Sequence, residues 1–170
     1  MILGMSLSTF VTVHVIISLI AIVSGLVVMF GLLTSNSMPG LTAIFLLFTI
    51  LTSATGFLIP PLVSEKLLPS HMVGALSLVL LAIACIALYG MKLSGAWRWI
   101  YAVTALLSLY LNIFVLVIQG FLKVPALHAL APGEPPGGPV FAVVQLIVLV
   151  FFVIVIIGAV RRFRPMPSFA

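Results

Sequence analysis

Residues 140–160 read VFAVVQLIVLVFFVIVIIGAV, and Gln145 is the one polar side chain in this run. A transmembrane helix needs about 20 consecutive apolar residues to cross the roughly 30 Å of hydrocarbon in a bilayer. The run is long enough for this and carries no charged residue. We therefore predict that it crosses a membrane as an α-helix.

Four further apolar runs precede it, at about residues 9–33, 41–60, 71–90 and 99–121. Turn-forming segments separate the runs, and the connection at residues 123–139 holds five prolines and three glycines. That composition is typical of irregular backbone outside the hydrocarbon. The sequence predicts an all-α fold, in which residues 1–170 form a single transmembrane domain, a bundle of five helices.

The composition excludes the soluble classes of protein. The chain is 64% hydrophobic and 5% charged, with a mean hydropathy of +1.48, whereas a soluble domain carries about a quarter charged residues. The pI near 10.0 comes from seven lysines and arginines in loops and the tail. These cations do not form the clustered basic face of a nucleic-acid-binding surface, and nucleic acid is not an expected partner.

The distribution of cations predicts an orientation, because the cytoplasmic loops of membrane proteins carry an excess of lysine and arginine. With the C-terminus inside, five cations lie in the cytoplasm and two outside. The inner set is Lys92, Arg98, Arg161, Arg162 and Arg164, and the outer set is Lys66 and Lys123. We therefore predict N-out, C-in. The same topology puts Glu65, Glu134 and the three histidines on the outer side.

Small and polar residues recur at helical spacing and predict the faces that point into the bundle. These faces are His14, Ser18, Ala21 and Gly25 in the first helix, Thr42, Thr49, Thr52, Ser53 and Gly56 in the second, and Tyr101, Ala105, Ser108, Asn112 and Gln119 in the fourth. Such residues let membrane helices approach closely and hydrogen-bond across the interface. The buried carboxamide of Asn112 needs a partner, and an interhelical hydrogen bond and a bound ligand both explain it.

His14 and His71 are the candidate cofactor ligands. His14 lies about one turn inside the outer end of the first helix, and His71 opens the third helix at a similar depth. Two facing imidazoles are the axial ligands of a b-type haem, and copper or zinc is the less favoured alternative. Ser18, Asn112 and Gln119 are predicted to lie around this site. The competing interpretation gives His14 a single interhelical hydrogen bond and places His71 at the interface. His128 is predicted to be a solvated loop residue.

Four stretches carry a resemblance to known proteins. They are PSHMVGALSL at 69–78, GAWRWIYAVTA at 95–105, LYLNIFVLVIQ at 109–119 and KVPALHALAP at 123–132. With these stretches the chain resembles a group of small, uncharacterised inner-membrane proteins of Gram-negative bacteria, which implies no particular activity. Its histidines also make it loosely similar to small b-type cytochromes, although it lacks the four histidines of the two-haem members.

The sequence leaves two functional hypotheses. It contains no HExxH, GxSxG, GxGxxG or CxxCH motif and no charged residue within a span, and we therefore assign no catalytic residue. The first hypothesis is a non-catalytic subunit or accessory component of the bacterial inner membrane, in contact with lipid and with a membrane-protein partner or a second copy. The alternative is a haem- or metal-binding redox protein with its site at His14 and His71 and a quinone as electron partner.

Overall fold

The computed structural model describes residues 4–59 and 69–165. The structure is all-helical. Its elements are α1 (Leu7–Leu33), α2 (Pro39–Gly56), α3 (Pro69–Cys85) with a π-helical turn at Ile86–Gly90, α4 (Trp97–Lys123), α5 (Pro125–His128) and α6 (Pro139–Arg162). Five helices, α1, α2, α3 with its π turn, α4 and α6, are long and apolar enough to cross a membrane. The five predicted helices are therefore confirmed, whereas the predicted outer-side residues Glu65 and Lys66 lie outside the described residues.

The first turns of the helices follow from simple capping chemistry. Pro39, Pro125 and Pro139 each stand in the first turn of a helix, where the missing N–H costs nothing and the fixed φ already suits the helix. Helix α1 begins differently, because the hydroxyl of Ser6 accepts a hydrogen bond from the N–H of Thr9 at 3.2 Å. That bond satisfies one of the four N–H groups that have no partner at a helix start.

Helix α2 ends earlier than predicted. The apolar run extends to residue 60, but the helix ends at Gly56, and a turn follows in which the N–H of Leu58 donates to the carbonyl of Thr55 at 3.1 Å. Two prolines follow at 60 and 61 in the sequence. A proline disfavours the helical conformation of the residue before it and cannot donate to the preceding turn, and for this reason the helix is shorter than its apolar run.

Helices α1 to α4 form a four-membered ring. Each packs against the next in the sequence, and α4 closes the ring against α1. Helices α1 and α3 stand diagonally across it, and in the described part of the chain no Cα atom of one comes within 8 Å of a Cα atom of the other. Helix α6 lies outside the ring against α4 and α1, while α5 packs on α4 alone. We call the end that holds α5 and Lys123 the α5 end, and the end that holds Arg98 and Arg164 the cationic end.

The centre of the ring depends on one close approach. A Cβ atom added to Gly25 of α1 would lie 2.6 Å from Cδ1 of Leu109 and 2.8 Å from Cδ2 of Phe45. Both of these side chains are fully buried, on α4 and α2 respectively. The glycine predicted for an interior face therefore lets α1 approach α2 and α4, as small residues do in membrane bundles.

The predicted interior faces are confirmed at their central positions. The residues buried there are Ala21, Gly25, Thr42, Thr49, Ser53, Tyr101, Ala105 and Ser108. The predicted hydrogen bonds across the interface do not form at Thr49 and Ser108. Thr49 donates to the carbonyl of Phe45 at 2.7 Å, and Ser108 donates to that of Thr104 at 2.9 Å. The carbonyl four residues earlier is always within reach of such a side chain, and these hydroxyls therefore contribute small size rather than interhelical bonds.

Candidate functional site

His14 is held by the neighbouring helix. Its half-buried ring projects from the second turn of α1, and Nδ1 lies 2.7 Å from Oγ1 of Thr55 near the end of α2. Ser18 was predicted to lie beside the site, but its hydroxyl donates to the backbone carbonyl of His14 at 2.8 Å. Thr55, and not Ser18, therefore orients the imidazole. The sequence gives one indication of this pairing, because the predicted topology places Thr55 near the outer end of the second helix, on the same side as His14.

The hydrogen bonds of Thr55 favour one tautomer of His14. Its Oγ1 lies 2.7 Å from the carbonyl oxygen of Leu51 and 2.7 Å from Nδ1 of His14, and the hydroxyl has one proton to donate. When that proton goes to Leu51, the oxygen accepts from Nδ1–H, and in a neutral imidazole Nε2 then carries the lone pair. An imidazole that donates through one nitrogen and keeps the other unprotonated is the form that ligates metals.

His71 lies against the same end of α2 from another side. Its ring centroid is 5.6 Å from that of Phe57, with an interplanar angle of 39°. The residue before Phe57 is Gly56, and a Cβ atom added there would be 3.7 Å from Cε1 of His14. The structure therefore brings both histidines to the end of α2, but it places them on α1 and α3, the two helices that stand diagonally across the ring.

Asn112 and Gln119 are both half-buried on α4. Nδ2 of Asn112 is buried and has no hydrogen-bond acceptor among the described residues. The interhelical bond that was one of its two explanations does not form in this part of the chain. Ser77 Oγ on α3 and Gln145 Oε1 on α6 are buried without a partner in the same way, although Nε2 of Gln145 donates to the carbonyl of Phe114 at 3.2 Å. Sequence reasoning missed Ser77, which is an ordinary small residue in an apolar run.

His128 is not the solvated loop residue that was predicted. It is half-buried at the end of α5, and its Nδ1 lies 3.2 Å from the carbonyl oxygen of Phe121. Across residues 4–59 and 69–165, no three side chains from histidine, cysteine, aspartate and glutamate are grouped so that they could hold a metal ion. The buried polar side-chain atoms without a partner in this part of the chain are thus Asn112 Nδ2, Ser77 Oγ and Gln145 Oε1.

We expect Asn112→Leu to leave the bundle unchanged or more stable. Leucine has a similar size, and the substitution removes a buried donor that lacks a partner; such a group costs about 1–3 kcal/mol. Denaturation in mixed micelles, compared with the nearby substitution Val115→Leu, measures the difference. A loss of stability of 1 kcal/mol or more with Asn112→Leu alone would show that the amide makes a stabilising bond.

No protein-family model, no curated protein and no solved structure matches this chain.

Proposed function

We propose that this multi-pass membrane protein is a non-catalytic subunit or accessory component of the bacterial inner membrane, held to a membrane-protein partner through α6. The observation that carries the proposal is the incomplete packing of that helix. In its most apolar window 11% of the residues are buried within the chain, against 44% in α1. The most apolar helix of the protein is therefore the one that the protein itself encloses least.

The exposed face of α6 is continuous and consists mainly of β-branched side chains. Ile147 and Ile154 are 63% and 64% exposed, and they lie seven residues apart, on one side of the helix. Only Phe152, Val155 and Ala159 are buried on the side that meets the rest of the bundle. Association of membrane helices depends on van der Waals packing rather than on a hydrophobic driving force, and a stiff β-branched face packs with little loss of side-chain entropy.

The N-out, C-in orientation belongs to the same proposal. Arg98 at the start of α4 donates to the carbonyl of Phe163 after α6. The next residue, Arg164, bonds Ser35 in the α1–α2 turn. The cations at the start of α4 and after α6 therefore share one end of the bundle. In the described part of the chain the opposite end carries Lys123 as its single lysine or arginine. The positive-inside rule assigns the end with more cations to the cytoplasm.

A second candidate function is supported by the tautomer of His14. Its unprotonated Nε2 suits iron ligation, and Thr55 supplies the outer hydrogen bond that such a ligand needs. In this reading His14 and His71 would hold haem b, and a quinone would be the electron partner. Bound haem would supply one-electron chemistry, and the chain's own contribution would be to hold the imidazoles and exclude water. Copper or zinc would use the same lone pair with additional ligands.

Photo-crosslinking tests the proposed role of α6. A benzophenone side chain placed at Ile147 or at Ile154 should yield one discrete protein adduct in native membranes. The matched control is Val79 on α3, which is 58% exposed and should give lipid adducts only. An adduct of two chains would identify the partner as a second copy. Lipid adducts at all three positions would contradict the proposal.

Absorbance spectroscopy tests the haem alternative. The purified protein, or protein reconstituted with haem, should show a Soret band that shifts on reduction with dithionite. His14→Ala and His71→Ala should each abolish the low-spin spectrum, and Thr55→Val should weaken haem affinity by about 10- to 100-fold because it removes the acceptor for Nδ1–H. His128→Ala serves as the control and should leave the spectrum unchanged. A protein that stays colourless after reconstitution would rule out this function.

A further inference from the structure

Among residues 4–59 and 69–165, no acidic residue lies at the cationic end to balance its charge. Five cations lie there, namely Lys92, Arg98, Arg161, Arg162 and Arg164, and all except the half-buried Arg98 are exposed. Glu134, the one acidic residue in the described part of the chain, follows α5 at the other end. This end therefore presents a positive surface to whatever lies beside it.

The segment that follows α6 is hydrogen-bonded to neighbouring elements at the cationic end. Arg98 donates from Nη1 to the carbonyl of Phe163. The N–H of Arg164 donates to Oγ of Ser35 at 2.7 Å, and that hydroxyl donates back to the carbonyl of Arg164 at 2.9 Å. The ring of Phe163 is 3% exposed, and its centroid lies 6.2 Å from that of Tyr101. The segment Phe163–Arg164 thus has a fixed position against α4 and the α1–α2 turn.

A mainly apolar cavity of about 140 Å³ lies beside this segment. Its wall includes Val28, Leu32, Met38, Leu88, Tyr101 and Phe163. An apolar cavity of about 150 Å³ stays dry and admits a benzene-sized group, and this one is therefore large enough for a short length of hydrocarbon chain.

Three cations are linked to residues of the cavity wall by a hydrogen bond or by adjacency in the chain, although none of them lines the cavity itself. Arg98 is bonded to Phe163, and Arg164 is the next residue after it. Lys92 precedes Leu93, which is another residue of the wall. Apolar space and uncompensated positive charge therefore occur side by side at one end of the spans, where a bilayer has its headgroups.

We propose that the cationic end binds an anionic phospholipid, with its phosphate on Arg98 and Arg164 and part of one acyl chain in the cavity. A phospholipid is the molecule at a membrane surface that joins a negative group to hydrocarbon. A guanidinium has five N–H donors, and Arg98 uses one of its nitrogens on Phe163, which leaves donors for a phosphate. The proposal does not depend on the role of α6, nor on which leaflet the cationic end occupies.

Native mass spectrometry of the full chain tests the headgroup contact. Phosphatidylglycerol should be retained in preference to phosphatidylcholine with the same acyl chains. The double substitution Arg98→Gln with Arg164→Gln should weaken retention of phosphatidylglycerol by about 25-fold, since each cation near an anionic lipid surface contributes about fivefold. Lys123→Gln makes a charge change at the α5 end and should alter retention less than twofold. Equal retention of the two lipids, or no effect of the double substitution, would overturn the proposal.

A second pair of variants tests the acyl-chain contact. Val28→Phe fills the cavity and should lower phosphatidylglycerol retention, while Val27→Phe, at a neighbouring position that is 38% exposed, should not. Soluble glycerol 3-phosphate should fail to displace the lipid. Full displacement by glycerol 3-phosphate, or equal retention by the two phenylalanine variants with an unchanged helical circular dichroism spectrum, would show a simple anion site and overturn the proposal. If Val28→Phe does not fold, the arginine variants and the displacement experiment decide.

Discussion

The structure depends on one constraint, which is that a polar group in hydrocarbon has no water to bond. The backbone satisfies this constraint by forming helices, and several buried hydroxyls satisfy it within those helices, whereas Ser77 Oγ has no partner among the described residues. Thr49 and Ser108 both donate to the carbonyl four residues earlier, and they therefore leave nothing unbonded when helices pack around them. Gly25 then allows α1 to approach Phe45 and Leu109. The result is a bundle held together mainly by close packing of side chains. Few polar groups form bonds between its helices.

Those exceptions give the two ends of the bundle different chemistry. Near the α5 end, His14 bonds across to Thr55 and His71 packs on Phe57, which leaves an imidazole lone pair available on α1. At the cationic end, Arg98 and Arg164 fix the chain after α6 beside an apolar cavity. Between these ends α6 exposes a face that the chain does not cover. One end thus holds two imidazoles, and the other holds positive charge beside apolar space.

Much of the fold could be predicted from the sequence, because five apolar runs of the required length allow few arrangements. The interior positions of Ala21, Thr49 and Tyr101 followed from helical spacing in the same way. The early end of α2 was missed because the apolar run continues to residue 60, although the prolines at 60 and 61 are a helix-stop signal in the sequence itself. The partner of each hydroxyl could not be predicted either, since helical spacing does not distinguish a bond within the helix, such as that of Ser18 to the carbonyl of His14, from a bond across the interface. The pairing of His14 with Thr55 depends on the rotation of two helices about their axes, which spacing within one helix does not give.

The central claim is that the five helices cross a membrane with the cationic end in the cytoplasm, and cysteine accessibility tests it most directly. Cys85→Ser removes the one native thiol, and a single cysteine is then placed in the α3–α4 turn, as Ser94→Cys, or in the α5–α6 loop, as Gly137→Cys. Intact spheroplasts are treated with a membrane-impermeant maleimide. The account predicts that Gly137→Cys is labelled at once and that Ser94→Cys is labelled only after permeabilisation. The reverse pattern, or labelling of both positions from one side, would contradict it.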